Sequence, residues 1–309
     1  MIHQNICSNI INFITIQSYL VYKKNLNNYI VTLYIKNKNN LGENTIIFSH
    51  SHLSTLGEEY PFLIDLSLML KCDIISFDYS GYCLSNGSSD IFEILVDYQT
   101  IVNFSINILG VNMNKMFLMS HSLGNIPLIY FSTYYNIKKI KGLILISPIS
   151  SYKFNNTNLI NKEKICRIIC PIFIIHGIKD NIISINHSIE LSKYIKYLSK
   201  WFPKKSSHYI LSENRHKFYQ KLKFFLNIKC NNVTFTDSLT QNLKSENNSN
   251  IFMYINYSIQ REENFIEDED SKDNQNQNDN QKPNNNSNYT FMKKSDSFNY
   301  DMSEMSYNY

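Results

Sequence analysis

KMFLMSHSLGNIPLIYF, residues 115–131, is the stretch that decides the fold. Its opening run, Met116–Met119, is apolar without a polar break, the composition of a strand buried on both faces. The run passes straight into Ser120-His121-Ser122-Leu123-Gly124 and then into a helical pattern. Pro127 falls in the first turns of that helix, where a missing N–H costs little. A strand, a tight turn around a central serine and a helix form the layout of a nucleophile elbow, usually written G-x-S-x-G. Such a turn sets Ser122 at the carboxyl edge of a sheet and at a helix N-terminus. Small residues two before and two after it, here Ser120 and Gly124, let strand and helix approach closely. Alone, S-x-S-x-G is a weak pattern that reads as a serine-rich turn, and its context gives it weight. Ser120 is the rival nucleophile, but at a strand end its side chain is expected to point away.

Outward from this turn, short runs rich in Ile, Phe and Val alternate with longer helical patterns between residues 12 and 226. Strands are predicted at 12–22, 29–36, 44–49, 73–77, 115–119, 142–147, 171–176 and 200–203. Helices are predicted at 59–70, 90–108, 123–135, 186–198 and 213–226. IIFS, FLMS, LILIS and IFIIH are continuous apolar runs, so these strands are buried on both faces. That implies an α/β fold with a mainly parallel central sheet and helices on both faces. The first two runs alternate more and are separated by KKNLNN, which predicts an antiparallel opening hairpin.

A second informative stretch is CPIFIIHGIKD, 170–180, a buried strand ending in His176-Gly177 with Asp180 three residues on. A carboxylate just past a strand's carboxyl end is placed to accept the Nδ1–H of a catalytic imidazole. By itself an aspartate there reads as a turn or N-cap residue. WFPKKSSHYIL, 201–211, puts His208 in a short loop between a strand and the last helix. Ser122, Asp180 and His208, separated by 58 and 28 residues, stand in the chain order of an α/β-hydrolase triad. IIFSHSHLSTLGEEY, 46–60, occupies the place of an oxyanion-hole loop. There a backbone N–H of His52 or Leu53 would join that of Leu123 in holding a tetrahedral oxyanion. Ser51 replaces the usual glycine and is expected to shift that loop, while His50 reads as a packed structural histidine. In DIISFDYSGYCLSNGS, 73–88, Asp78 is predicted to bond nearby backbone. Neither G-x-G-x-x-G nor G-x-x-x-x-G-K-[ST] occurs, so no nucleotide site, and no cofactor, is predicted.

Charge divides the chain unevenly. Residues 1–230 carry 24 Lys/Arg against 13 Asp/Glu, a net of +11, and residues 231–309 carry 6 against 13, a net of −7. The segment 262–288, EENFIEDEDSKDNQNQNDNQKPNNNSN, has no apolar periodicity and too little apolar surface to offset the entropy of ordering. The organisation predicted is a folded domain over 1–230 and a mostly disordered Asn-rich acidic tail over 231–309. The six cysteines, Cys7, Cys72, Cys83, Cys166, Cys170 and Cys230, show neither a disulfide framework nor zinc-ligand spacing. Free thiols in a reducing, cytoplasmic compartment fit best. The apolar N-terminal stretch is broken by Asn, Gln and Ser and has no Lys or Arg before it, so a signal peptide is not expected. No run of roughly 18 apolar residues suggests a membrane span. The basic folded part reads as a solvated lysine-rich surface, with an anionic lipid surface as the weaker alternative.

FSHSHLSTLGEE, CDIISFDYSGYCLSNG, HSLGNIPLIYF, LILISPIS, CPIFIIHGIKD and the Ser207-His208 loop together resemble the serine hydrolases called alpha/beta-hydrolase-domain-containing protein 17 and their Bem46-like relatives. The resemblance runs over about residues 28–226. DYSGY followed by Ser and Gly, and a proline three residues after the elbow glycine, are its more specific marks. It implies an alpha/beta-hydrolase fold and a membrane-associated enzyme that removes palmitoyl groups from protein cysteines. Nucleophile, acid and base map onto Ser122, Asp180 and His208. The sequence departs from the family pattern at Ser120, Ser51 and Cys83, where the family has glycine. It keeps only Cys7 of an N-terminal cysteine cluster that anchors family members, and its acidic tail has no counterpart.

The leading expectation is a serine hydrolase of an acyl ester or thioester, acting on an acylated protein or lipid, with peripheral contact to the cytoplasmic face of a membrane. Only some twenty residues, 149–169, separate the strand ending at Ser147 from the next, so only a minimal lid is expected. Lys179, Lys204 and Lys205 should lie on loops at the rim of the triad. A lysophospholipase or monoacylglycerol lipase using the same triad is the second expectation. A catalytically inactive hydrolase fold serving as an interaction module is the third. No nucleic-acid partner and no metal are expected.

Overall fold

The strands are short and apolar on both sides, and the sheet they form is covered on both. A computed structural model describes residues 13–23, 28–41, 44–134, 140–154 and 157–227. These belong to one unit of the chain, Met1–Glu267; the other, Asp268–Tyr309, lies outside the described residues, as do Cys7, Cys230 and the predicted tail. The chain opens with the predicted hairpin, β1 (Ile14–Tyr22) antiparallel to β2 (Tyr29–Asn37), with Ile14 opposite Asn37. There follow β3 (Thr45–Ser49), α1 (Leu56–Leu70), β4 (Asp73–Phe77), α2 (Ile91–Asn107), β5 (Met116–His121) and α3 (Asn125–Tyr134). After β6 (Gly142–Ile146) comes a small hairpin, β7 (Ser151–Phe154) and β8 (Thr157–Ile160), and the one-turn α4 (Asn161–Ile165). The last elements are β9 (Ile172–Ile175), α5 (Ile185–Ser192), β10 (Leu198–Trp201) and α6 (Ile210–Asn227).

Eight strands form the central sheet in the order β1-β2-β4-β3-β5-β6-β9-β10. From β4 to β10 all neighbours are parallel, while β2 meets β4 antiparallel. Side chains alternate across the strands, as a period of two requires. Ile47, Ile75, Leu118, Leu145 and Ile174 point to one face, where they pack on Ile94, Tyr98 and Ile101 of α2 and Ile126 and Ile129 of α3. Ile46, Phe48, Ile74, Phe117, Met119, Ile144 and Phe173 point to the other, against Leu63 and Leu66 of α1 and Phe218, Leu222 and Phe225 of α6. Each face is therefore a separate apolar layer, and truncating a central residue such as Leu118 to alanine would cost about 2–5 kcal/mol.

The structure moves some predicted boundaries. Helix α1 starts at Leu56, not at 59, because Thr55 Oγ1 caps it by accepting the Glu58 N–H at 3.3 Å, and the same hydroxyl donates to Glu58 Oε2 at 3.1 Å. The helix predicted at 186–198 ends at Ser192. The chain must turn there so that Leu198–Trp201 can lie parallel to β9, with Leu198 opposite Ile172. Pairing with a buried strand thus overrides the helical spacing of KYIKYL. The hairpin and α4 between β6 and β9 were not predicted, although their brevity agrees with a minimal lid. Helix α6 carries a break at Asn214, whose side chain donates to Ser206 Oγ.

Of the three positions where the family that the sequence resembles has glycine, only Cys83 has the backbone conformation that favours one. Its φ is +44°, whereas Ser51 and Ser120 lie outside the left-handed region, so the shift expected from Ser51 has no basis in backbone strain. Replacing Cys83 with glycine should stabilise the protein by about 1 kcal/mol. Its thermal midpoint should rise by roughly 2–4 °C, which differential scanning calorimetry would show.

Candidate active site

Strand β5 ends at His121 and a single 3-10 turn, Ser122–Gly124, leads into α3. Ser122 is held at φ +54°, a left-handed conformation that costs a non-glycine residue roughly 1–2 kcal/mol. Gly124 makes the turn possible, because a Cβ there would lie 2.6 Å from Ser49 O and 2.9 Å from His50 O. Ser120 is fully buried and donates its hydroxyl to Asn125 Oδ1 at 2.7 Å, so the rival nucleophile does point away. Asn125 in turn donates to Ser122 O at 2.9 Å and Ile146 O at 2.8 Å. The serine standing in a glycine's place thus helps to tie strand, turn and helix together.

Past the end of β9, Gly177 passes directly under the loop that carries His208. A Cβ at Gly177 would lie 2.2 Å from Ser207 O and 2.4 Å from Ser206 O. Backbone bonds from Ile178 N to Pro203 O, 3.1 Å, and from Lys179 N to Ser206 O, 2.9 Å, fasten the two loops. The result is a 2.7 Å hydrogen bond from His208 Nδ1 to Asp180 Oδ2. Ser147 Oγ donates to the same oxygen at 2.8 Å, and Oδ1 accepts the N–H groups of Ile182 and Ile183, both at 2.9 Å. His176 Nε2 lies 3.3 Å from Oδ2 and 2.9 Å from Ile183 O, while its Nδ1 meets Ser188 Oγ at 2.6 Å. Burial alone would raise the Asp180 pKa. The bonds from His176, His208 and Ile183, with the electrostatic attraction of the neighbouring His208 imidazole, outweigh it and hold the carboxyl well below the usual carboxylate range.

His208 is buried, and its ring lies over that of His121, the residue before Ser122, with centroids 4.5 Å apart. Its loop is anchored by Ser207, whose N–H and hydroxyl donate to Glu213 at 2.7 and 2.5 Å. The structure therefore brings Asp180 and His208 into direct contact and sets them against the serine turn through His121. His121 Nε2 is buried with no hydrogen-bond partner. Burial pushes the His121 imidazole down to about 3, and the neighbouring His208 pushes the same way, against the Asp180 charge and a bond to the His208 backbone.

Of the oxyanion candidates, Leu123 is buried inside the 3-10 turn. His52 is half-buried, with Nδ1 2.6 Å from Tyr82 Oη, and the Leu53 side chain stands 72 % exposed. His50 is fully buried beneath Tyr79, its Nδ1 2.7 Å from Ser51 O and its Nε2 3.4 Å from Asp78. Asp78 accepts the Leu56 N–H at 2.7 Å, the structural bond to backbone expected of it, although its partner lies 22 residues away in sequence. Sequence reasoning missed Ser147, Asn125, Tyr82 and the bonding of His176. The signal for Ser147 was its place after a buried strand, in LILIS; the others had none. Among the described residues no group of three or more His, Cys, Asp or Glu is placed to hold a metal ion. Nor is any described helix long and apolar enough to cross a membrane.

Solved structures share this arrangement of sheet and helices. The Pyrococcus furiosus esterase Pf2001 superposes with a TM-score of 0.58 at 15 % identity, over 71 % of this chain and 93 % of its own. Est1E from Butyrivibrio proteoclasticus, solved with ferulic acid bound, gives 0.56 at 15 % identity over 67 % of this chain and 97 % of its own. This is an alpha/beta-hydrolase fold. Curated proteins of similar sequence carry alpha/beta-hydrolase names. Alpha/beta hydrolase domain-containing protein aho-3 of Caenorhabditis elegans is 26 % identical over 219 residues, 67 % of this chain and 64 % of that protein. Human alpha/beta hydrolase domain-containing protein 17B is 29 % identical over 157 residues, 48 % of this chain and 54 % of that protein. The chain thus spans from just under half to just under two thirds of the length of the curated relatives it matches. No protein-family model matches it.

The half-buried His121, whose Nε2 is shut away from water, should leave a mark on stability. Between about pH 3 and the ordinary histidine pKa of about 6.5, the unfolded chain binds a proton at His121 that the folded chain does not. Stability conferred at neutral pH is therefore lost as pH falls through that window, by up to about 1.4 kcal/mol per pH unit. His121→Gln should flatten the dependence of the urea midpoint on pH between about 4.5 and 6.5, above the window in which Asp180 titrates in the unfolded chain.

Proposed function

We propose that this chain is a serine hydrolase that cleaves an acyl ester or thioester, with Ser122 as nucleophile, His208 as general base and Asp180 as its orienting carboxylate. The observation that carries this reading is the 2.7 Å bond between His208 Nδ1 and an otherwise saturated Asp180, set against a serine in a left-handed strand-to-helix turn. With Nδ1 donating to Asp180, Nε2 of neutral His208 is the basic nitrogen. It takes the Ser122 proton as Oγ attacks the carbonyl carbon, and the backbone N–H of Leu123, with one from His52 or Leu53, holds the oxyanion. The imidazolium then protonates the leaving thiol or alcohol. Water, deprotonated by the same nitrogen, releases the acid and restores Ser122. Asp180 is ionised throughout because four donors bond its oxygens, so it can stabilise the imidazolium without taking its proton.

Protein depalmitoylation is the substrate class favoured here. The similarity to the alpha/beta hydrolase domain-containing proteins 17 supports it. So does the brevity of the hairpin and α4 between β6 and β9, which are too short to form a large lid themselves. Exposed Lys179, Lys204 and Lys205 lie on the two loops that are fastened together beside His208, where a membrane carrying the acylated protein would approach. Two of the three glycine replacements carry no backbone strain, which argues against a silent hydrolase fold.

Labelling with a fluorophosphonate probe tests the reading. Wild type should label and Ser122→Ala should not, while Asp180→Asn should slow labelling by about 10³–10⁴-fold by favouring the wrong His208 tautomer. Absence of labelling in folded wild type would overturn the assignment. Palmitoyl-peptide thioesters tested beside lysophospholipid and monoacylglycerol then separate depalmitoylation from a lipase activity.

A further inference from the structure

The loop after β3, residues 50–55, carries the second half of the proposed oxyanion hole, and its fixation comes from one short segment just past the end of the neighbouring strand β4. Three side chains of DYSGY reach it. Tyr79 Oη donates to His50 O at 2.8 Å at the start of the loop. Asp78 Oδ1 accepts the Leu56 N–H at 2.7 Å at its end. Between them, Tyr82 Oη lies 2.6 Å from His52 Nδ1 and donates to His52 O at 3.3 Å. The Tyr82 ring also packs on those of His50, His52 and Tyr79, with centroids 5.5, 6.2 and 5.5 Å away.

The segment that holds the loop is itself rigid. Asp97, buried and paired with the buried Lys23, accepts the Ser80 N–H at 2.7 Å and the Ser80 hydroxyl at 2.8 Å. Gly81 turns the chain at φ +77°, where a Cβ would lie 2.7 Å from Ser89 N. Tyr82 N bonds Tyr79 O, and Ser85 N bonds Tyr82 O, both at 2.9 Å. A side chain on such a base transmits its position to whatever it bonds.

We infer that Tyr82 is a positioning residue for the oxyanion loop, clamping His52 at both its ring and its carbonyl so that the loop N–H points at the developing charge. The inference rests on the hydrolase reading above. A phenol has one proton, and in Tyr82 it is directed at His52, so the hydroxyl acts through the loop and not on the substrate. Burial raises the Tyr82 pKa, and the hydroxyl stays protonated through the range in which the enzyme would be assayed. An oxyanion donor displaced by a fraction of an ångström loses transition-state binding while ground-state binding is untouched.

The test uses the full-length chain and a p-nitrophenyl ester beside its thionoester, whose sulfur anion accepts hydrogen bonds weakly. Tyr82→Phe should lower kcat by about 10-fold with KM changed less than about 2-fold, in line with loss of part of one oxyanion donor. The ratio of ester to thionoester rates should fall with it. His52→Leu should behave alike. His52→Asn, whose amide reaches the place of Nδ1, should retain most of the activity. Combining Tyr82→Phe with His52→Leu should cost little more than either alone. Should Tyr82→Phe fail to fold, the contrast between His52→Leu and His52→Asn carries the test. Unchanged kcat in Tyr82→Phe, or a loss that leaves the ester-to-thionoester ratio at its wild-type value, would overturn the inference and leave the hydrolase reading standing. Wild type that turns over neither ester and takes up no fluorophosphonate would remove both.

Discussion

A buried carboxylate must be bonded at every lone pair it can offer, and around Asp180 this requirement organises one side of the molecule. Its oxygens collect His208, Ser147 and the backbone of Ile182 and Ile183, groups from three separate loops. Each donor has to be delivered by a strand end, so β6, β9 and β10 must finish at matching heights in the sheet. Gly177 then has to be a glycine, because the loop bearing His208 lies closer to its backbone than any side chain would permit. Breaking a single donor would leave a buried charge under-bonded, a loss larger than that of an ordinary surface hydrogen bond.

On the other side of β5 the constraint is steric. Gly124 lies against Ser49 O and His50 O, which forces the serine turn and the loop after β3 to share one edge. The chain accepts left-handed backbone at Ser122 and at Ser147; Ser147 bonds Asp180, and Ser122 follows His121, whose ring lies over that of His208. Strain of this kind persists only where the surroundings over-determine the position. Here the surroundings are the Asn125 side chain at one serine and the carboxylate at the other. Cys83 shows the same conformation on an exposed turn, without a bond to Asp180 or to Asn125.

Much of the architecture was legible because burial on both faces leaves a compositional trace. Runs such as FLMS and IFIIH have no polar face to hide, so their count and order predicted the parallel sheet. Boundaries suffered where tertiary pairing outweighed local pattern. KYIKYL has helical spacing, but Leu198–Trp201 lies beside a strand that needs a partner. The hairpin after β6 left no trace, since four-residue strands are too short to show alternation.

The candidate site divides along the same line. Chain order, spacing and the identity of the residue at each strand end select Ser122, Asp180 and His208, and these are properties of the sequence by itself. Loops 75 or more residues apart in the chain meet only in the folded protein, as Gly124 and Ser49 do. That Ser120 is bonded to Asn125, that Ser147 and His176 serve Asp180, and that Tyr82 grips His52 were decided by tertiary structure alone. The reason is physical. A strand or a turn is specified by periodicity over a few neighbouring residues, whereas a hydrogen bond across loops depends on the register of strands that no local pattern records.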